Sequence, residues 1–411
     1  MTTAPATNRI FYGWWIVLGC GIVAVVGWSL AIFGMGVYIH VLSEQRGLSI
    51  GFISTAVTFS FLVNAACLTS VGTLTARFGA RPAILIGAAA MALALAGLGY
   101  FKEAWAIFLM FAFLGVGRAC LSATTISTTL APWFERHQGR AVSTALLGAS
   151  VGGMLATPLL LGGIALYGVT PAFVLAGVIS AALLLPVALW VRRTPQELGL
   201  LPDGAAATAT ASVEKPAMWT LKGALATRHV RTQLLAFALA QSAQVGFLSH
   251  HVSIVAPHLG ETGASLAVSI AAVAAFGGRI ALARFADKVD LRLLTGIVML
   301  VAAFSLAYLG VSSSRFSLLL SSAMYGLTIG NLTTLAPLLA RREIGARSFG
   351  RVYGFISAVT AFATAFGPAS YGLLRDSFES YGPPLLIAAV VNVVAAFVIV
   401  WGGRRPLRTP E

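Results

Sequence analysis

The sequence predicts an all-α membrane protein: twelve transmembrane helices in two six-helix, pseudo-symmetric bundles. Three observations carry this expectation. Of 411 residues, 58% are apolar and 10% charged, whereas a soluble domain carries about 25% charged residues. Apolar stretches of spanning length occur twelve times, at 12–39, 50–72, 83–101, 104–131, 141–168, 171–191, 230–256, 264–286, 291–311, 315–339, 350–374 and 384–403, and a span needs about 20 residues. Short segments also repeat at half the chain length. Thr128-Thr-Leu-Ala-Pro132 recurs as Thr333-Thr-Leu-Ala-Pro337, an offset of 205, and Ala76-Arg-Phe78 recurs as Ala283-Arg-Phe285, an offset of 207. The two offsets agree, which argues for a parallel repeat with a binding site near the midplane between the halves. The expected division is a first bundle at 1–193, a cytoplasmic linker at 194–228 and a second bundle at 229–411. The linker contains Ala205-Ala-Ala-Thr-Ala-Thr-Ala-Ser212, a low-complexity run with no reason to fold.

The net charge of +14 is a statement about topology. With the N-terminus placed in the cytoplasm, 21 of the 27 Lys and Arg residues fall in cytoplasmic segments. Only Arg46, Lys102, Arg315 and Arg375 lie in outer loops, and Arg118 and Arg279 lie inside spans. This asymmetry puts both termini in the cytoplasm, and no nucleic-acid partner is expected. A multi-pass protein of a bacterial inner membrane, acting as a monomer, is the expected setting. Cys20, Cys67 and Cys120 fall in three different spans without metal-ligand spacing, so they read as packing residues, and no metal or cofactor is expected. The segment before Phe11 lacks the pattern of a cleavable signal. The sequence holds no Gly-x-Ser-x-Gly or His-Glu-x-x-His motif and no paired catalytic carboxylates, which argues against an enzyme. A membrane sensor would usually bring a soluble signalling domain, and the linker is the longest soluble stretch.

The spans carry different amounts of information. The first opens on Tyr12-Gly-Trp14-Trp15, an interfacial aromatic anchor, and is rich in glycines that let helices approach. The second carries Ser54, Thr55, Thr58 and Asn64 and ends in a short basic turn with Gly72, Arg77 and Arg81. The third, sixth, ninth and twelfth rest on length and apolarity alone. The fourth holds Arg118 near its middle, roughly 22 and 26 Å from its two ends if helical throughout. Ser122, Thr125 and Thr129 follow at i+4, i+7 and i+11, so one hydroxyl face accompanies the arginine. That face either packs on a neighbour or lines an aqueous path; a central Arg cannot snorkel from such depth. The fifth has Gly148, Gly152, Gly153 and Pro158, for close packing or a bend.

In the second half, the seventh span places Gln241, Gln244 and His251 on one face, with His250 adjacent. A histidine can titrate near neutral pH or serve as a plain polar anchor. The eighth holds Arg279, eight residues before Asp287 and therefore roughly 12 Å into the bilayer. Such a charge costs about 2.5–3.5 kcal/mol on insertion scales, and a guanidinium cannot lower that by deprotonating. It faces water, a counter-charge or a ligand, or it snorkels. The tenth span offers Thr328, Asn331 and Thr334, and the eleventh Tyr353, Ser357, Thr360 and Thr364, as cavity stripes. Tyr353 also fits an interface position.

Several of these stretches resemble a known family. Gly72-x-Leu74-x-Ala76-Arg77-x-Gly79-Ala80-Arg81 is similar to the loop between spans two and three of the major facilitator superfamily, with Ala76 where an Asp is usual. Ala283-Arg284-Phe285-Ala286-Asp287 keeps the Asp in the second half. Trp133-Phe134-Glu-Arg136-His-Gln-Gly139-Arg140-Ala141, the run Arg193-Thr-Pro195-Gln-Glu197-x-Gly199 and Gly278-Arg279 with Asp287 resemble the monocarboxylate and oxalate/formate transporter branch. Gly326, Gly330-Asn331 and Gly350-Arg351-Val-Tyr353-Gly354 also fit that branch. The resemblance implies the major facilitator fold and a secondary active transporter in which Arg279 pairs with a substrate carboxylate. It departs in having no lysine in span one or span eleven, and Ala275 where the animal proteins have an aspartate.

None of the 13 acidic residues falls well inside a span, so two fixed cations stand without a buried anion. That suits a small carboxylate held by an arginine fork. The expected transporter moves small organic anions, monocarboxylates first and dicarboxylates or oxalate as the alternative, by proton symport or anion exchange; a non-transporting sensor is the alternative of another class. The candidate substrate residues are Arg279, Arg118, Ser122, Thr125, Gln241, Gln244, Asn331 and Ser357. His250 and His251 are candidates for proton coupling, and Gly72, Arg77, Arg81, Arg284 and Asp287 for gating.

Overall fold

A computed structural model describes residues 11–134, 137–204, 219–285 and 289–403. Among them every long element is a helix. In the first half these are α1 (Tyr12–Trp28), running through a π-turn at Ser29–Phe33 into α2 (Gly34–Arg46), then α3 (Ile50–Phe78), α4 (Ala80–Tyr100), α5 (Ala104–Cys120), α6 (Ala123–Leu130), α7 (Gln138–Tyr167) and α8 (Val169–Trp190). A short α9 (Leu221–Ala226) precedes α10 (Arg228–Phe285), α11 (Leu291–Val311), α12 (Arg315–Ile344), α13 (Ala346–Ala365), α14 (Gly367–Phe378) and α15 (Gly382–Trp401). Polar caps open several of them: Ser49 Oγ accepts from Phe52 N, and Asp290 Oδ1 accepts from Arg292 N and Leu293 N. Large apolar side chains such as Leu159, Leu189, Val390 and Phe397 stay exposed on the outside of the bundle, as lipid-facing surfaces require.

The 58 residues of α10 would reach about 87 Å if straight, far beyond a hydrocarbon core of about 30 Å. The chain turns at Gly260, whose φ of 68° and ψ of 175° leave the helical region, a conformation that glycine adopts without strain. The described helices therefore make twelve crossings, six before the segment 191–227 and six after it, so the start of α1 and the end of α15 lie on one face, called the termini face below.

Two spans expected to be continuous are broken. Span four, 104–131, stops at Leu121 (φ −101°, ψ 23°) and restarts with Ser122 as N-cap, its Oγ accepting from Thr125 N at 3.4 Å. A serine side chain competes for backbone groups in this way, so Arg118 sits at a helix end, not at the centre of a 28-residue helix. Span eleven breaks at Phe366, just ahead of Pro368, a residue that cannot donate to the preceding turn.

The halves meet through α3 against α14, α2 against α10 and α7 against α10. Gly51 N donates to Asp376 Oδ2 at 2.8 Å, Ala369 N donates to Thr58 Oγ1 at 3.0 Å, and Ser54 Oγ lies 3.2 Å from His250 Nε2. All three contacts lie toward the face opposite the termini, called the far face below. On the termini face, Trp133 and Phe134 are buried in an aromatic cluster with Phe11, Tyr12 and Trp14. Asp203 N returns to Trp133 O at 3.0 Å, which ties the chain after α8 back to the end of span four.

Candidate substrate-binding cavity

A cavity of about 290 Å³ lies between the halves, at the small end of the range for small-molecule sites. Its walls come from both bundles. The first half contributes Trp28, Phe33, Phe61, Asn64, Arg118 and Ser150; the second contributes Gln241, Gln244, Arg279, Thr333 and the α13 stripe. Among the described residues no acidic one lines it.

Arg279 owes its position to a close helix crossing. A Cβ on Gly330 would stand 2.6 Å from Ala275 O, 2.7 Å from Arg279 Cγ and 2.8 Å from Arg279 Nε. The arginine stem therefore lies flat across α12, in space that only a missing side chain leaves free. From there Nη1 crosses between the halves and donates to Ser150 Oγ at 2.8 Å.

Arg118 is held differently. A Cβ on Gly115 would collide with Ser60 O, so α5 and α3 touch backbone to backbone one turn before the arginine. That approach sets the guanidinium over the Phe61 ring, 3.8 Å from its centroid. Its Nη1 is buried and has no hydrogen-bond partner among the described residues. A desolvated cation–π contact contributes about 2 kcal/mol or more, and a buried ion loses several kcal/mol of hydration. The ring does not offset that loss, and a donor without an acceptor is left on a residue that lines the cavity. Gln244 Oε1 and Thr360 Oγ1, on the same walls, are likewise buried and unpartnered.

Of the residues expected to bind substrate, Arg279, Arg118, Gln241, Gln244 and Ser357 border the cavity. Ser122 and Thr125 do not: they serve the break between α5 and α6, where Thr125 Oγ1 donates back to Ala119 O. Asn331 does not border it either; it lies beside Gly278, and its Nδ2 donates to Leu327 O one turn back. The stripe Thr328, Asn331 and Thr334 is replaced by Ile329, Thr333 and Ala336. The crossing at Gly330 draws Asn331 against Gly278 of α10, while Thr328 bonds back to Tyr325 O and Thr334 is exposed. The α13 stripe is present in full, with Tyr353 in the cavity wall. Ser150 and Phe61 carried no sequence signal, since their meaning lies in what another helix brings to them.

Residues 17–368 and 252–411 match the family model of the Major Facilitator Superfamily. The chain belongs to the Major Facilitator Superfamily. It is a membrane transporter and not an enzyme. It is 25% identical over 409 residues to monocarboxylate transporter 11 of Homo sapiens, covering 94% of this chain and 83% of that protein. It is 23% identical over 415 residues to the oxalate:formate antiporter of Oxalobacter formigenes, covering 98% and 94%. Among solved structures it superposes on a D-xylose-proton symporter with a TM-score of 0.75 at 15% identity, covering 96% and 100% of the two chains. A bacterial homologue of the human lysosomal transporter Spinster, inward-facing and occupied, gives 0.71 at 12% identity, covering 96% and 97%. These structural likenesses speak to the fold.

Within this major facilitator chain the histidines diverge. His251 Nε2 lies 2.9 Å from Ser322 Oγ and its ring packs on Phe247, so it faces into the second half. His250 faces the first half, at the far-face contact described above. Of the gating candidates, Arg77 lies over the Phe78 ring, Arg81 and Arg284 are exposed, and Gly72 approaches Thr124; Asp287 lies outside the described residues. Arg193 Nη2 donates to Ala76 O at 3.3 Å, so the turn that lacks the usual aspartate is bound from the end of α8. A buried ion pair escaped the sequence reading: Arg292 meets Glu343 through Nε–Oε1 at 2.6 Å and Nη2–Oε2 at 2.9 Å. The same guanidinium also donates to Ile399 O, His229 O and Thr232 Oγ1.

Proposed function

We propose that this chain is a secondary active carrier of small organic anions, monocarboxylates foremost, which works by alternating exposure of the central cavity. One observation carries the reading: two guanidiniums share a cavity whose lining holds no acid, and one of them has a buried N–H without a partner. A carboxylate supplies the missing acceptor and charge, through charge-assisted bonds of the kind an arginine fork makes. The names of the two relatives, a monocarboxylate transporter and an oxalate:formate antiporter, support the same class. The termini face is assigned to the cytoplasm from the lysine and arginine asymmetry. The far-face contacts then describe a carrier closed toward the outside. Substrate bound between Arg118 on α5 and Arg279 on α10 joins the two halves, and its charge offsets theirs as the halves rock. Both arginines lining one cavity favours a second reading in detail, a dicarboxylate such as oxalate bridging the two.

The test is uptake of labelled lactate, pyruvate, formate, oxalate, succinate and aromatic acids into proteoliposomes, with and without a pH gradient and internal carboxylate. Saturable uptake of at least one monocarboxylate is expected. Transport of oxalate or succinate alone would move the assignment to the bridging reading. If no carboxylate moves in protein that is folded and inserted, the anion-carrier assignment is wrong.

A further inference from the structure

His250 is built into the contact between the halves. Its Nε2 lies 3.0 Å from Pro368 O and 3.2 Å from Ser54 Oγ, and its Nδ1 lies 3.0 Å from Tyr381 Oη. The partners assign the hydrogens. Pro368 O only accepts, so Nε2 carries the ring hydrogen. Ser54 Oγ donates to Ile50 O at 2.6 Å, which leaves its lone pairs to share the Nε2 hydrogen. Nδ1 then accepts from the Tyr381 hydroxyl. The ring is therefore complete as a neutral imidazole, and Ser54 on α3 belongs to the other half of the molecule.

Tyr381 has a second face. It lines a polar vestibule of about 330 Å³ on the far face, together with Ser253, whose buried hydroxyl lies beside its own. The hydroxyl thus stands between outside water and the imidazole. The titratable and charged groups around His250 are Tyr381, Tyr371 stacked 5.8 Å away, and Asp376 within electrostatic reach with Arg375 beside it. His40 and Glu44 on α2, with His258 and Glu379, border the vestibule beyond Tyr381. α3 carries no acidic or basic residue before Arg77. Asp376 itself holds Gly51 N of α3 at 2.8 Å, so it and His250 are tied to the same helix of the opposite half.

We propose that His250 is the proton-binding site of this carrier, reached from the far face through Tyr381, and that its protonation is coupled to the opening of the far face. The inference rests on the carrier reading and selects proton symport within it. Tyr381 passes its own proton to Nδ1 and takes one from the vestibule. The imidazolium then donates from both nitrogens, to Pro368 O and to Tyr381 Oη, and Tyr381 turns its hydrogen toward Ser253. In the closed state that charge is enclosed by hydroxyls and a carbonyl. Separating α3 from α14 brings water to it and frees Asp376 from Gly51. A proton that is better accommodated in the open state favours opening by the same free energy.

Two measurements test this. In proteoliposomes, acid outside should drive carboxylate uptake accompanied by proton entry read by an internal dye. In His250→Gln the ratio of gradient-driven uptake to carboxylate counterflow should fall at least tenfold, while His251→Gln keeps it. Counterflow reports folded carrier. A wild-type carrier that transports carboxylate without proton entry, or a His250→Gln variant with an unchanged ratio, overturns the proposal and leaves the anion-carrier reading standing. Independently of any substrate, spin labels at Gln45→Cys and Ser377→Cys, with the three native cysteines replaced by alanine, report the far-face gap. A longer-distance population should grow between pH 7.5 and pH 5 and be absent in His250→Gln. A distance that ignores pH in the otherwise native labelled protein, or one that responds equally in the variant, also overturns it. If no carboxylate moves at all, the carrier reading fails first, and the symport assignment fails with it.

Discussion

At the scale of single residues, the two arginines do different work although both are cations in apolar surroundings. Arg279 is anchored, its stem across Gly330 and one nitrogen on Ser150. Arg279→Lys keeps the charge and loses the fork. Losing one charge-assisted bond, about 1.5–3 kcal/mol, should lower carboxylate uptake at limiting substrate on the order of tenfold to a hundredfold; near-normal uptake would rule out fork-like binding. Arg118 Nη1 is buried without an acceptor among the described residues. Arg118→Met should therefore leave the thermal midpoint unchanged or raised while carboxylate affinity falls, a split that a structural arginine would not show. Both arginines were legible in the sequence, because a charge in a long apolar run stands out on composition alone. Phe61 and Ser150 were not: each is an ordinary residue made significant by a partner from elsewhere in the chain.

At the scale of elements, the crossing of α10 and α12 decides which face of α12 borders the cavity. Gly330→Ala adds one carbon where 2.6–2.8 Å is available to backbone and to Arg279. Either the helices separate or the arginine leaves its place, so carboxylate binding should fall about tenfold or more with the charge pattern intact. Titrating a fluorescent carboxylate against the variant would check this. The Arg292–Glu343 pair fixes the termini-face ends of α11 and α12, with Arg292 and Glu343 only 2% and 9% exposed. Glu343→Ala leaves a buried guanidinium without its carboxylate, a change that costs about 3–5 kcal/mol. A clear drop in thermal midpoint is expected, and an unchanged midpoint would show that the pair is solvated in the membrane. The repeat also has an element-scale outcome: Thr128–Pro132 ends α6, whereas its twin Thr333–Pro337 lies within α12, which runs on to Ile344. The residues that follow differ, Trp133 and Phe134 entering an aromatic cluster and Glu343 entering an ion pair.

At the scale of the whole molecule, the halves are held together at the far face by Gly51–Asp376, Ser54–His250 and Thr58–Ala369. Asp376→Asn weakens a hydrogen bond to a charged acceptor, and bonds of that kind contribute about 1.5–3 kcal/mol. The balance between far-face-closed and far-face-open forms should move on the order of tenfold toward the open one. A Ser357→Cys probe in the cavity, in a background without the native cysteines, should then react faster with an impermeant thiol reagent added outside. An unchanged rate would show that the far face is closed by apolar packing alone.

Twelve crossings, a two-fold repeat and two intramembrane arginines were all readable from the amino-acid order, because each follows from local composition and from the cost of placing polar groups in hydrocarbon. The shared cavity, the orphaned donor on Arg118, the turned face of α12 and the interdomain seat of His250 were not. These depend on which backbones approach within contact distance, and that is set by glycines and breaks whose partners lie tens to hundreds of residues away. Periodicity places a side chain on one face of its own helix; only the packed structure says what that face meets.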